Sequence, residues 1–292
     1  MTVTLHRFSL VAALLIAGLV FSATSTAEAL PRISYVSIPV TAGEDSWNLA
    51  GKLSYPLESA NGAAVLLVHG SGGVDTRGAL HTKSLNAAGF VTLEIDLWAA
   101  RGWLGRSFGR PASVPETLPD VFAALNFLNG LDGVDADRIG VAGFSWGGVI
   151  AMLARSNSYL EQYAQRNQFA ANVAFYPVCW VYNKVPGYEL TELLDAPLLI
   201  LTGELDDYDT PTACADWRAA LKPEDQENVD IVVYPQSYHG FNTSAQRMEV
   251  TDPFSHQGKG GVVVMEANDV SRAQADQALV DFFNSNLGNN DE

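Results

Sequence analysis

The sequence predicts an α/β fold, a mostly parallel sheet flanked by helices, from two observations. Short runs rich in Val, Ile and Leu alternate along the chain with helical patterns, the rhythm of βαβ units. A G-x-S-x-G pentapeptide, residues 143–147, lies where one of those runs gives way to a helix. The chain has 292 residues, 48% hydrophobic and 17% charged, which is ordinary globular composition and unlike a disordered tail or a coiled rod. With no internal repeat and no low-complexity linker, residues 30–292 read as one domain.

The elements follow in order. His6 and Arg7 precede sixteen uncharged residues, Phe8 to Ala23, and then Ala27-Glu28-Ala29. A positive head, an apolar middle and an A-x-A exit make a secretory signal peptide over residues 1–29, shorter than the roughly twenty apolar residues of a membrane span. The protein from residue 30 is expected to be secreted or periplasmic, with no stable membrane anchor.

Residues 33–40 and 47–55 alternate apolar and polar positions and predict two strands joined by a glycine-containing turn. Residues 63–68 (AAVLLV) predict a strand buried on both faces, and 91–95 another, with a helix over 76–88 ending at Gly89. Leu118–Asn129 has one apolar face, Pro119 at its start and Gly130 just past its end, the ordered signals of a helix. Ile139–Phe144 predicts a strand, 146–155 a helix, 171–176 and 198–202 strands, and Val229–Tyr234 the last strand. Residues 268–287 close the chain as a helix with Leu279, Phe282 and Phe283 inward.

Charge narrows the function. Seventeen Lys and Arg face 33 Asp and Glu, a net charge of −16, so a nucleic-acid partner, which needs a basic stripe, is excluded. Polyanionic substrates are disfavoured for the same reason. Two cysteines are too few for a disulfide scaffold or a four-ligand zinc site.

In the strand-to-helix context, Gly143-Phe144-Ser145-Trp146-Gly147 is a nucleophile turn. Its glycines relieve crowding at a sharp bend, and the new helix aims its N-terminal N–H groups at the serine. The serine needs a base. His239 and His256 are the histidines that follow Ser145, and His239 is preferred because its turn comes directly after a strand. The imidazole needs an acid that fixes its tautomer. Residues 203–211 (GELDDYDTP) offer Asp206, with Asp207 a rival better spaced to Pro211. Two backbone donors for an oxyanion are expected from Trp146 and, in the glycine-rich loop 69–73, from Ser71; His69 is expected to brace that loop. No metal-ligand cluster and no dinucleotide or phosphate-binding glycine fingerprint is present, so cofactor-free hydrolysis is expected.

Taken in order, HGSGG, DLWAARG, GFSWGG, GELDDYDTP and YPQSYHGF resemble the dienelactone hydrolase family, from about residue 45 to the last helix. The resemblance implies an α/β-hydrolase fold, with a mostly parallel central sheet of about eight strands. It also implies Ser145, Asp206 and His239 as a triad, with Ser71 and Trp146 as oxyanion donors. Two departures stand out. The family's namesake enzymes carry cysteine where this chain has Ser145, and the acid loop is one residue longer, which keeps Asp207 beside Asp206. Arg101 resembles an arginine that binds substrate carboxylate in the family, a structural ion pair being the other reading. By the same likeness Cys179 and Cys214 follow neighbouring strands, where they either form a disulfide or stay as two free thiols.

The implied activity is hydrolysis of a small-molecule ester or lactone through an acyl-enzyme; Trp98, Trp103 and Phe108, in the short segment before Pro115, are expected to line an acyl or aromatic pocket. The segment between Asp96 and Pro115 is too short for a large lid. A serine peptidase of the same fold and a non-catalytic binding protein are the other readings. Asn242-Thr-Ser is a formal glycosylation sequon that lies too near His239 to be more than incidental.

Overall fold

Where both faces of a strand meet helices, apolar and small residues dominate, and the chain follows that rule, Glu94 and Asn172 apart, in a computed structural model that describes residues 32–163 and 167–288. The expected signal peptide lies outside the described residues. The elements run β1 (Ile33–Ala42), β2 (Asp45–Ser54), β3 (Ala64–Val68), α1 (Thr76–Ala87), β4 (Val91–Asp96), α2 (Leu118–Asn129), β5 (Ile139–Phe144), α3 (Trp146–Leu153) and α4 (Asn157–Tyr163). They continue with β6 (Ala171–Phe175), β7 (Leu198–Gly203), α5 (Ala213–Ala219), α6 (Pro223–Gln226), β8 (Val229–Tyr234), β9 (Met248–Asp252), α7 (Ser255–Gly258, a single turn), β10 (Gly261–Met265) and α8 (Asp269–Leu287).

Eight strands form one sheet in the order β1-β2-β4-β3-β5-β6-β7-β8. The β1–β2 and β2–β4 pairings are antiparallel and the rest parallel. Central strands β3, β5, β6 and β7 are buried at every position. Alternate side chains serve opposite faces: Leu66 and Val68 join Val121, Leu125 and Ile150 in one core. Val65 and Leu67 join Leu85, Leu279 and Phe283 in the other. Phe283 is fully buried, and its truncation to alanine costs about 3–5 kcal/mol by the usual large-to-small rule. Of the inward residues expected on α8, Phe282 is only partly buried.

Strand order reverses at β3, which pairs with β4 on one side and β5 on the other. Crevices outside the carboxyl ends of parallel strands open at such a switch point. The loop after β3 and the turn after β5 meet there.

One expectation is corrected. Val229–Tyr234 is the last strand of the main sheet but not of the chain: β9 and β10 pair antiparallel as a separate two-stranded sheet between His239 and α8. The β9 sequence, MEVTD, lacks a full apolar face. It becomes a strand by pairing with the valines of β10 and by anchoring to the rest of the protein through Asp252.

Candidate active site

The turn after β5 has no room for side chains beside Ser145. A Cβ placed on Gly143 would collide with the Gly147 carbonyl, and one on Gly147 with the Val68 carbonyl. Ser145 itself sits at φ +54°, a conformation non-glycine residues rarely adopt. Its N–H donates to Phe175 O at 3.0 Å, which holds the strained turn against β6. The serine side chain is thus carried above the carboxyl edge of the sheet at the start of α3.

Three side chains converge on it. Ser145 Oγ lies 2.8 Å from His239 Nε2. His239 Nδ1 lies 2.8 Å and 3.0 Å from the two Asp206 carboxylate oxygens. An ionised Asp206 keeps the proton on Nδ1, which leaves Nε2 to accept from the serine hydroxyl. Asp206 also accepts the Tyr208 N–H at 2.9 Å. The imidazole is almost wholly buried and meets the rings of Tyr176 and Tyr208, with centroids 4.7 and 4.4 Å away. Asp207 takes a different task, accepting the Val264 N–H of β10 at 2.8 Å. His256 lies outside the cluster, its Nε2 on Val262 O at 2.9 Å.

Two segments that carry main-chain donors border Ser145. Trp146 opens α3, so its N–H has no acceptor within the helix. Ser71 follows the end of β3, and Ser71 and Ser145 line one pocket. His69 braces this loop: Nδ1 donates to Gly70 O at 2.7 Å and Nε2 accepts the Leu97 N–H at 3.0 Å. Burial holds its pKa below the ordinary value, so the ring stays neutral in that tautomer.

Behind the imidazole runs a second set of bonds. Arg77 Nη1 donates to Tyr176 Oη (3.0 Å), whose hydroxyl donates to Asn242 Oδ1 (2.6 Å). Asn242 Nδ2 donates to His81 Nε2 (3.0 Å), and His81 Nδ1 donates to Asp276 (2.7 Å). Burial raises the Tyr176 hydroxyl to a pKa of about 12, so it remains a donor. Asp276 is held below the carboxylate range: burial pushes it up, but hydrogen bonds from His81 and Ser84 outweigh that. The chain ties α1 and α8 to the loop that carries His239. Asn242 of the sequon is 1% exposed and fully engaged in it, so the folded protein offers no glycan acceptor there.

Two sequence expectations are corrected. Arg101 does not line the site: it pairs with the fully buried Asp120, with its guanidinium over Trp47 and Trp103, 4.3 and 4.0 Å from the ring centroids. Trp98, Trp103 and Phe108 form no acyl pocket either. Trp98 packs internally on His69, Trp103 and Trp146, Trp103 stacks on Arg101, and Phe108 is 87% exposed. An apolar pocket beside Ser145 is lined instead by Val149, Val178, Trp180, Val185 and Phe254, among others.

One wall of that pocket is fixed by a disulfide between Cys179 and Cys214, Cα atoms 4.9 Å apart. Asp209 accepts the N–H groups of Cys179 and Trp180, and burial, with Asp206 nearby, raises its pKa to about 7. Val178, next to the bridge, is left-handed at φ +56°, an unusual strain for a β-branched residue. The two sulfurs and Asp209 have the spacing of a metal set, but sulfurs bonded to each other offer no thiolate ligands.

Arg77, Tyr176, Tyr208, Arg110 and Asp252 were not singled out by the sequence. No local motif marks them; Tyr176, following an apolar strand, and Tyr208, inside the acidic loop, stood beside the signals that were used.

The profile of the dienelactone hydrolase family matches residues 49–287. A Bradyrhizobium sp. protein described as "Probable 2-oxo-3-(5-oxofuran-2-ylidene)propanoate lactonase" is 24% identical over 202 residues, 65% of this chain and 77% of its own length. Thermogutta terrifontis esterase 2 superposes with a TM-score of 0.61 at 16% identity, over 87% of this chain and 95% of that one. A dienelactone hydrolase-like promiscuous phosphotriesterase from metagenomic libraries superposes with a TM-score of 0.60 at 17% identity, over 88% and 99%. At such identities the solved structures establish the fold.

Proposed function

Since this chain belongs to the dienelactone hydrolase family and is a hydrolase of ester bonds, we propose that it cleaves carboxylic esters or small lactones through Ser145, His239 and Asp206. Ser145 Oγ attacks the carbonyl as His239 Nε2 takes its proton. The tetrahedral oxyanion is held by the N–H groups of Ser71 and Trp146. His239 then returns the proton to the leaving oxygen, Asp206 stabilises the imidazolium, and water releases the acyl group by the same steps.

The observation that carries this reading is the continuous Ser145–His239–Asp206 hydrogen-bonded line at 2.8 Å and 2.8 Å, set at a strained strand-to-helix turn. Turnover of p-nitrophenyl esters by wild type and Ser145→Ala tests it. The variant loses roughly 10^4-fold or more in kcat; full activity in Ser145→Ala contradicts the reading.

Export belongs to the same proposal. The charged head, apolar middle and A-x-A exit of residues 1–29 support a cleaved leader, and a disulfide suits an oxidising compartment. No helix among the described residues is long and apolar enough to cross a membrane. N-terminal sequencing of the exported protein is expected to begin at Leu30; an intact Met1 would contradict it.

A further inference from the structure

Ser145 stands at the junction of two pockets of unequal size. The larger, about 460 Å³, joins Met248, Val250 and Met265 to the polar side chains of Arg106, Thr243 and Gln246, while Asp75 and Arg77 bond each other and Ser107 bonds Asp252. The smaller, about 230 Å³, is walled by Val149, Val178, Trp180, Val185, Pro186 and Phe254. Ser145 and Tyr208 line both.

The partition between them is built, not incidental. Tyr208 Oη donates to Asp252 at 3.0 Å. Asp252, at the end of β9, also accepts from Ser107 Oγ at 2.9 Å and from Arg110 Nη2 at 3.2 Å. Asp252 faces the larger pocket and Arg110 the smaller. Arg110 lies over the Trp146 and Phe254 rings, 5.2 and 5.1 Å from their centroids. Its charge is therefore spent on Asp252, and the smaller pocket keeps an apolar character despite it. The β9–β10 hairpin supplies Asp252 to this partition.

His239 lines the larger pocket and not the smaller. That asymmetry orients the substrate. The proton that Ser145 loses must reach the leaving oxygen, so the leaving oxygen sits beside His239 Nε2. The acyl carbon stays on Ser145 through the second half of the reaction, with its substituent in the other pocket.

Resting on the Ser145 mechanism above, we propose that the enzyme selects acyclic esters of a compact apolar acid and a hydroxylated alcohol. The acid side takes the pocket of Val149 and Trp180, and the alcohol side takes the pocket of Thr243 and Gln246. A cavity of about 150 Å³ accepts a benzene ring, so the smaller pocket is matched to one aromatic ring or a short branched chain. In the reaction the Ser145 Oγ–acyl bond forms as the acyl–alkoxy bond breaks, and the alcohol leaves with the serine's proton. Water then replaces Ser145 on the acyl carbon and restores the proton.

A pair of constitutional isomers separates this orientation from its reverse: the glycerol monoester of benzoic acid and the benzyl ester of glyceric acid. Each kcat/KM is divided by the ester's own hydroxide-catalysed rate, which removes intrinsic reactivity. The glycerol benzoate is expected to lead by about tenfold or more, and Val149→Phe, checked for folding by circular dichroism, to narrow that lead. Labelling of wild type with a small fluorophosphonate runs alongside. An equal or reversed preference with Ser145 labelled overturns the orientation while sparing the mechanism. A folded protein whose Ser145 takes no label overturns the mechanism itself.

Discussion

Asp206 and Asp207 are consecutive, yet one carboxylate accepts from His239 Nδ1 at 2.8 Å and the other from the Val264 N–H at 2.8 Å. The first addresses the imidazole; the second fastens the loop to β10, helped by the His256 N–H on Asp207 O at 2.8 Å. Asp206→Asn is expected to lower kcat by about 10^4-fold, because the wrong imidazole tautomer is then favoured. Asp207→Ala changes kcat less than about tenfold but loses about 1.5–3 kcal/mol of stability with its charged hydrogen bond. Steady-state kinetics and urea unfolding on both variants check the division.

Arg101 is a structural residue on this account. Its removal leaves Asp120 buried beside Trp47 Nε1, 2.6 Å away, with no cation. Burial already raises the pKa of Asp120 to about 6 against the pull of Arg101. Arg101→Ala is expected to cost about 3–5 kcal/mol in urea unfolding. The ratio of kcat/KM for a carboxylated ester to that for its neutral analogue stays unchanged; a tenfold fall would restore Arg101 as a substrate ligand.

The Cys179–Cys214 bridge closes a separation of 35 residues, worth about 4 kcal/mol by loop-closure entropy. Thiol titration of the unfolded, non-reduced protein should find no free thiol, and the Cys179→Ala/Cys214→Ala variant should unfold at lower urea. The bridge also holds Val178 and Trp180, so its loss should reduce selectivity among acyl groups more than it reduces the rate of acetyl transfer. Equal stability with and without the bridge would contradict this.

Glu94 is 7% exposed in β4, opposite Lys52 of β2. Burial raises its pKa from 4.5 to about 7, with Lys52 pulling the other way. The folded value lies above the unfolded one, so the folded state binds the proton more tightly. Stability from this group is full below about pH 4.5 and is lost as pH rises through 7. The loss is on the order of 3 kcal/mol at most. Glu94→Gln should flatten that part of the profile between about pH 5 and 8, measured as the difference in unfolding free energy from wild type. A variant profile parallel to wild type would refute the assignment.

How much of this was legible depended on whether the physics was local. The central strands could be read within about a residue because burial on both faces leaves continuous apolar runs. Ser145 was legible because a steric requirement imposes glycines two positions either side. Asp206 and Asp207 could not be separated, since adjacent carboxylates differ only in what the fold brings to them. The β9–β10 hairpin was hidden for a similar reason: MEVTD has no full apolar face, and its partner lies across a turn. Trp98 and Arg101 misled because aromatic and charged residues near a site suggest substrate contact, whereas here Trp98 fills the interior and Arg101 neutralises Asp120. Arg110 and Asp252 are 142 positions apart in sequence, and no local pattern links them.

The most direct test of the central claim is mass spectrometry of the enzyme quenched in acid during turnover of a slow p-nitrophenyl ester. One acyl group per protein is expected, on the peptide containing Ser145, accumulating in a burst and absent from Ser145→Ala. Turnover with no acyl adduct on Ser145, or an adduct elsewhere that persists in Ser145→Ala, would contradict it.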